Sequence, residues 1–332
     1  VQTDTAIASA PPAPRRKIWS ELGVFGVVIA LYILLAIREP SFRGFANFRN
    51  VLTQISIPAL IAVGMTFVII TGGIDLSVGS VAALAACVSG VLMDKSHWGA
   101  GAGILVTLGM GALLGLANGL AITKVSLPPF IATLAMMVMA RGLAFVVSGG
   151  GAIYRIPEAY LWAGQGNLFN SFPLFERLPV MIALMALFFI CGHIFLQRTR
   201  TGRYLYSVGS NEEASRLSGV PTAKVKILCY TVCGFLAGLA GMLSTGYVGA
   251  AQPTIGDGIE LDVIAAVVIG GSSLSGGQGN LPGTFAGALL IGLVRNGLNL
   301  MGKDSNWQKV AIGTIIFLAV TIDMYQKKRR RV

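Results

Sequence analysis

Charge is scarce in this sequence: of 332 residues only 12% are Asp, Glu, Lys or Arg, where a soluble globular domain carries about 25%. Histidine is nearly absent. His97 and His193 stand alone, which argues against a histidine-based metal site, and no metal is predicted. The four cysteines, Cys87, Cys191, Cys229 and Cys233, all fall inside apolar runs, where a thiol behaves as a small hydrophobe, and no disulfide framework or zinc spacing appears. No G-x-x-x-x-G-K-[ST] loop is present, so any ATP chemistry must come from a partner. No catalytic residues are predicted, since nucleophile and base do not converge in any pattern, and no cofactor is predicted.

Apolar residues are abundant. They make up 54% of the chain, with a mean hydropathy of +0.74, which excludes an ordinary soluble domain and excludes disorder. The 43 glycines fit membrane helices whose backbones approach closely. The net charge of +11 is gathered in a few places rather than spread as a nucleic-acid surface needs, so no nucleic-acid partner is expected. Arg15, Arg16 and Lys17 precede the first apolar run, and Lys327, Lys328, Arg329, Arg330 and Arg331 follow the last. This is the positive-inside pattern, with both termini cytoplasmic. Residues 1–17 read as a flexible cytoplasmic tail, 18–326 as a single membrane domain and 327–332 as a basic cytoplasmic tail. The stretch Trp19 to Ile37 is too long for a signal-peptide core and lacks a cleavage site, so it is the first membrane helix.

Runs of about 20 apolar residues span a bilayer. The sequence gives ten: 19–37, 51–71, 77–93, 99–123, 128–147, 178–197, 225–248, 259–270, 282–300 and 307–325, the eighth being short. The predicted fold is therefore all-α, a polytopic membrane protein of about ten helices in the bacterial cytoplasmic membrane. Loops 72–76, 124–127, 198–224 and 271–281 become cytoplasmic; 38–50, 94–98, 148–177 and 249–258 become external. Arg198, Arg200, Arg203, Arg216, Lys224 and Lys226 then fall inside, as the rule requires, whereas Arg38, Arg43 and Arg49 fall outside against it.

One internal echo interrupts the apolar runs. Residues 72–79 and 270–277 both read GGxxLSxG. Paired glycine-rich breaks at corresponding points of two halves point to a transport pathway, because irregular backbone at membrane depth needs protein or water around it. Gly72, Gly73, Asp75, Ser77, Gly270 and Gly271 are the pathway candidates here, Asp75 having the alternative role of capping the helix that starts near Ser77. In the loop 198–224, Asn211 is a suitable N-cap, Glu212 and Glu213 occupy a first turn, and Gly219 and Pro221 stop the helix. So short a helix, flanked by Gly209 and Gly219 and carrying Ala214 and Leu217 on one side, is built to dock.

Four segments together resemble the permease subunits of monosaccharide ABC importers, those for ribose most of all: Thr71 to Ser80, Gly209 to Gly219, Ala251 to Asp262 and Gly270 to Gly279. The likeness runs from about 18 to 325 in order; permeases for xylose, galactose, autoinducer-2 and, more distantly, branched-chain amino acids share it. It implies a pair of membrane subunits forming the pathway, as a homodimer in lipid, two cytoplasmic ATPase subunits and a periplasmic sugar-binding protein. It implies also that Gly209, Asn211, Glu212, Glu213, Ala214, Arg216, Leu217, Ser218 and Gly219 form the ATPase-coupling segment, and that Gln252, Asp257 and Glu260 lie on the face that meets the binding protein. Polar residues inside spans are costly and therefore informative. Asn118, Asn296 and Asn299 suit a neutral sugar, with interhelical hydrogen bonding as the alternative. Arg141 and Arg295 are expected to pair with carbonyls or a carboxylate, Asp262 or Glu260 among them. A secondary carrier, the competing class, would show a membrane-depth carboxylate chain, and here the acids cluster near span ends.

Overall fold

Long apolar runs oblige the backbone to satisfy its own hydrogen bonds, and this chain does so with helices. Residues 16–168 and 178–330 are described by a computed structural model. The order is α1 (Arg16–Arg38), a 3-10 turn (Pro40–Arg43), α2 (Phe45–Ile70), α3 (Val78–Lys95), α4 (Ala100–Lys124), α5 (Pro129–Ser148), α6 (Glu158–Gln165), α7 (Val180–Arg198), α8 (Arg200–Ser210), α9 (Glu212–Leu217), α10 (Thr222–Val248), α11 (Ile259–Ile269), α12 (Leu281–Leu300) and α13 (Ser305–Arg330). Two antiparallel two-residue strands, Asn167–Leu168 and Leu178–Pro179, join α6 to α7.

Among the described residues seven helices are long and apolar enough to cross a membrane: α2, α3, α4, α5, α7, α10 and α12. In α1 (Arg16–Arg38) the part whose side chains are described, Gly23–Arg38, is apolar. Helix α11 has 11 residues, about 16 Å of rise against a hydrocarbon core of about 30 Å. It reaches only part-way, so 259–270 is a half-length segment rather than a full span.

Glycine sets how closely the helices approach. Helix α10 lies antiparallel along α4, with Gly111, Gly115 and Gly119 facing Gly238, Gly234 and Ile227 in turn. A methyl at Gly119 would sit 2.8 Å from the Ile227 Cα, and one at Gly115 would sit 3.0 Å from the Gly234 Cα. Backbones this close gain dispersion and leave no room for a side chain, which accounts for much of the glycine content. Helix α2 is the axis of the molecule, packed on α7, α10, α11 and α12 and buried along most of its length.

These pairings place Lys124, Arg198 and Arg200 to Arg216, Lys224 and Lys226 at one end, and Arg38, Arg43 and Arg49 at the other. The first end is the cytoplasmic one by its weight of basic residues. Several connecting segments carry helices of their own. The external stretch 148–177 contains α6, whose Tyr160 is fully buried with its hydroxyl 2.9 Å from Thr107 Oγ1 and 3.3 Å from Ser89 Oγ. The cytoplasmic loop 198–224 is mostly helix, as α8 and α9. Lys327 to Arg330 continue α13. Of the N-terminal tail, residues 1–15 lie outside the described residues, and Arg16 and Lys17 open α1.

Candidate functional site

The two GGxxLSxG breaks begin with the same physical device. After α2, the Gly72 amide donates to the Ile69 carbonyl and the Gly73 amide to that of Val68; after α11, Gly271 donates to Val268 and Ser272 to Val267. This is the Schellman arrangement, which needs a left-handed residue at its turn. Gly72 (φ 80°) and Gly271 (φ 90°) provide it. The sequence echo is thus two helix ends closed in the same way.

Beyond that point the breaks differ. In the first, the Asp75 carboxylate accepts from the Ser77 amide at 2.9 Å and from its hydroxyl at 2.6 Å, and Asn118 Nδ2 donates to Ser77 Oγ at 2.9 Å. All three residues are buried, and together they set the entry of α3 against α4. In the second, a tight turn has Ser273 donating to Gln278 and Gly276 to Ser273, before Asn280 Oδ1 caps α12 through the Gly283 amide at 2.6 Å.

The breaks touch each other and the end of α8. The Gly277 amide donates to the carbonyl of Ile70, the last residue of α2, at 2.9 Å. Tyr206 on α8 donates its hydroxyl to the Gly279 carbonyl at 2.9 Å. A side chain added at Gly209 would run into the Ile70 carbonyl and the Gly277 amide, and one at Gly276 would lie 2.7 Å from the Gly209 carbonyl and 3.0 Å from the Gly72 nitrogen. Three backbone segments, 70–72, 206–209 and 276–279, therefore meet at a junction with no space for a Cβ at Gly209 or Gly276. Gly209 lies inside the last turn of α8, so it is a packing point and not a loose flank.

Helix α9 follows at once. Asn211 Oδ1 accepts from the Ala214 amide at 2.9 Å, and Gly219 closes the helix at φ 82°. Ser215, the buried residue of this helix, lies 2.7 Å from Ser207 of α8 through the two hydroxyls, and Lys226 of α10 donates to Glu212 at 2.5 Å. The chain itself thus orders α9, despite its shortness. Arg216 donates to Glu213 at 2.6 Å, and that hydrogen bond with the guanidinium charge holds the exposed Glu213 carboxyl below its usual range. Ala214, Ser218 and Leu217 point outward, Leu217 with 79% of its surface exposed.

At the opposite end, Arg141 of α5 donates to the carbonyls of Pro253 and Ile255 at 2.5 and 2.9 Å, and so holds the loop between α10 and α11. Gly256 (φ 68°) and Gly258 (φ 77°) turn that loop into α11. Asp257 is exposed, Gln252 half-buried, and Glu260 faces the start of α3, where a methyl at Gly79 would lie 2.9 Å from its Oε2. Arg295 pairs with Asp262. Asn296 accepts from Asn47 Nδ2 at 3.0 Å in the interior, whereas Asn299 lines a cavity. Gly270 packs on Gly283. The reading of the sequence missed Tyr206, Tyr230 and Ser215; a tyrosine within an apolar run was the available signal for Tyr230, because its hydroxyl must find a partner.

Gly73 supplies a test of this packing. A methyl there would overlap the Tyr230 hydroxyl, which itself donates to the Ile74 carbonyl at 3.4 Å. Gly73→Ala is expected to cut uptake several-fold, an overpacking cost of about 1–3 kcal/mol. Tyr230→Phe in the same chain should restore most of it. Initial uptake rates in vesicles check this, and wild-type uptake in Gly73→Ala alone would show that the break tolerates a side chain.

The profile of the family described as branched-chain amino acid transport system / permease component matches residues 47–320. The chain belongs to this family. It is similar to the ribose import permease protein RbsC of Escherichia coli (strain K12), 42% identical over 303 residues, 89% of this chain and 92% of that one. RbsC of Bacillus subtilis (strain 168) is 43% identical over 309 residues, 92% of this chain and 93% of the relative. The L-arabinose transport system permease protein AraH of Escherichia coli (strain K12) is 36% identical over 317 residues, 95% and 94% of the two chains. No solved structure matches. This permease is a multi-pass protein of the bacterial cytoplasmic membrane.

Proposed function

We propose that this chain is the membrane-spanning subunit of an ATP-binding-cassette importer and forms, with a second copy, the pathway for a monosaccharide, ribose first. Hydrolysis belongs to two cytoplasmic ATPase subunits, and a binding protein delivers the sugar from outside. The observation that carries this reading is α9: capped, tied to its own chain through Ser215 and Glu212, and still presenting Leu217 to the cytoplasm. An ordered helix with an exposed apolar anchor fits a preformed cleft on a partner. The Gly209 junction then joins that helix to both breaks by backbone contact, so rigid-body motion of the ATPase reaches the membrane segments without passing through flexible side chains. In this reading Gly72, Gly73, Asp75, Ser77, Gly270 and Gly271 form the cytoplasmic gate, and the loop with Gln252, Asp257 and Glu260 receives the binding protein.

The two ribose permeases, at 42% and 43% identity, support ribose over arabinose, for which the relative is 36% identical. The test is competition for labelled ribose uptake in vesicles holding the permease, its ATPase and its binding protein. Unlabelled ribose should compete more strongly than arabinose, xylose or galactose. Stronger competition by arabinose would replace the sugar, and uptake of no monosaccharide would remove the reading.

A further inference from the structure

A cavity of about 340 Å³ opens among α2, α7, α10, α11, α12 and α13, on the external side of the two breaks. Its polar wall consists of Gln54, Tyr247, Asp262, Arg295, Asn299 and Gln308. Among the described residues Gln54, Tyr247, Asn299 and Gln308 donate and accept no side-chain hydrogen bond within the protein, in contrast to Asn47, Asn118 and Asn296, which are used between helices. Gln54 lies nine residues into α2, roughly 13 Å along the axis from its start. Pro58, also on the wall, has no amide hydrogen, so the Gln54 carbonyl lacks its usual helical donor. Arg295 engages Asp262 through a single nitrogen, which leaves the other guanidinium donors and a second carboxylate oxygen toward the space.

Gln54, Tyr247, Arg295 and Asn299 are exposed to this space, and Tyr247, Asn299 and Gln308 lie near the external ends of their helices, so their free donors and acceptors are open to water or a polar ligand entering from outside. The size is that of a small ligand pocket. The charges on the wall, one Asp and one Arg, cancel, so the site favours neither an anion nor a cation. Hydroxyl groups both donate and accept, and match amides, a phenol and a charge pair in one small space, while the Tyr247 ring can cover a C–H face.

We propose that this cavity is a station for a neutral polyhydroxylated ligand inside a single permease chain, an inference that rests on the monosaccharide reading above. Sugar released at the external loop pauses there, held by Gln54, Asn299 and the Asp262–Arg295 pair, before the cytoplasmic breaks part.

The test is protection of a cysteine from alkylation in the full permease–ATPase complex in vesicles, with no binding protein added and ribose as the probe. Among the native cysteines Cys191 is exposed and Cys87, Cys229 and Cys233 are buried, so Cys191→Ser gives a quiet background. On it, Gln308→Cys and, independently, Thr53→Cys, both on the wall and neither among the residues that hold the sugar, should react with a water-soluble methanethiosulfonate. Excess ribose should slow each about fivefold once it exceeds its dissociation constant about fourfold, since labelling follows the empty fraction. Thr254→Cys, exposed on the loop away from the cavity, should be unaffected. Labelling of both cavity positions at the same rate with and without ribose overturns the station, as does failure of both to react, which would make the cavity a lipid site. A complex that imports no monosaccharide, even with its binding protein, overturns the function proposed above instead, and the station with it.

Discussion

Replacing Gly209 by alanine is expected to lower ATP-driven uptake about tenfold or more while the chain still inserts and still holds its ATPase. In an exposed helix this substitution would stabilise by about 0.5–1 kcal/mol, and Gly209 has helical geometry within α8. Its effect here comes from what surrounds it. The added methyl would collide with the Ile70 carbonyl and the Gly277 amide, two groups already bonded to each other. Backbone cannot rotate aside as a side chain can, so α8 must separate from the end of α2 or the turn of the second break must lift. Either costs about 1–3 kcal/mol and slackens the connection between α9 and the breaks. Gly219→Ala is the control. Its φ of 82° imposes backbone strain of about 1–2 kcal/mol, but a methyl there meets open space, so coupling should be largely kept. Hydrolysis and uptake measured together on both variants check this; equal uptake by Gly209→Ala and wild type would show that the junction carries no motion.

The second large effect is at Leu217. With 79% of its surface exposed, it contributes little to the fold of this chain, and Leu217→Asp should leave the thermal stability of the purified permease within about 0.5 kcal/mol of wild type. Binding of the ATPase should weaken at least about 30-fold, the loss of about 2 kcal/mol typical of an anchor residue, with a charge now facing an apolar cleft. Glu213→Gln breaks only the surface pair with Arg216 and should change association slightly, in a salt-sensitive way. Co-purification and equilibrium binding of the ATPase separate the two variants. Wild-type binding by Leu217→Asp would remove α9 from the interface.

What the sequence made legible was the part governed by local rules. Apolar run length located the helices from α2 to α5, α7, α10 and α12, because only a helix satisfies backbone in lipid. The glycine pairs at 72–73 and 270–271 marked two helix ends, since the Schellman turn needs a residue free to adopt positive φ. The cap Asn211 and the stop at Gly219 gave the limits of α9. The meeting of Gly209 with Ile70 and Gly277 was not legible, because nothing local records which distant backbone fills the place of a missing side chain. Helix α6 was hidden for a related reason: eight residues are too few to show a period, and its burial depends on the Tyr160 hydroxyl reaching Thr107 and Ser89 on other helices. Asn296 and Asn299 looked alike in sequence, yet Asn296 bonds to Asn47 and Asn299 faces the cavity.

The most direct test of the account is the dependence of wild-type ribose uptake on the ATPase and on hydrolysis, measured in vesicles as accumulation against a gradient. Accumulation is predicted only when permease, ATPase, binding protein and ATP are all present, and it should stop when a non-hydrolysable ATP analogue replaces ATP. Accumulation that continues with the ATPase omitted, or that follows an imposed proton gradient, would contradict the account and make this chain a carrier that works alone.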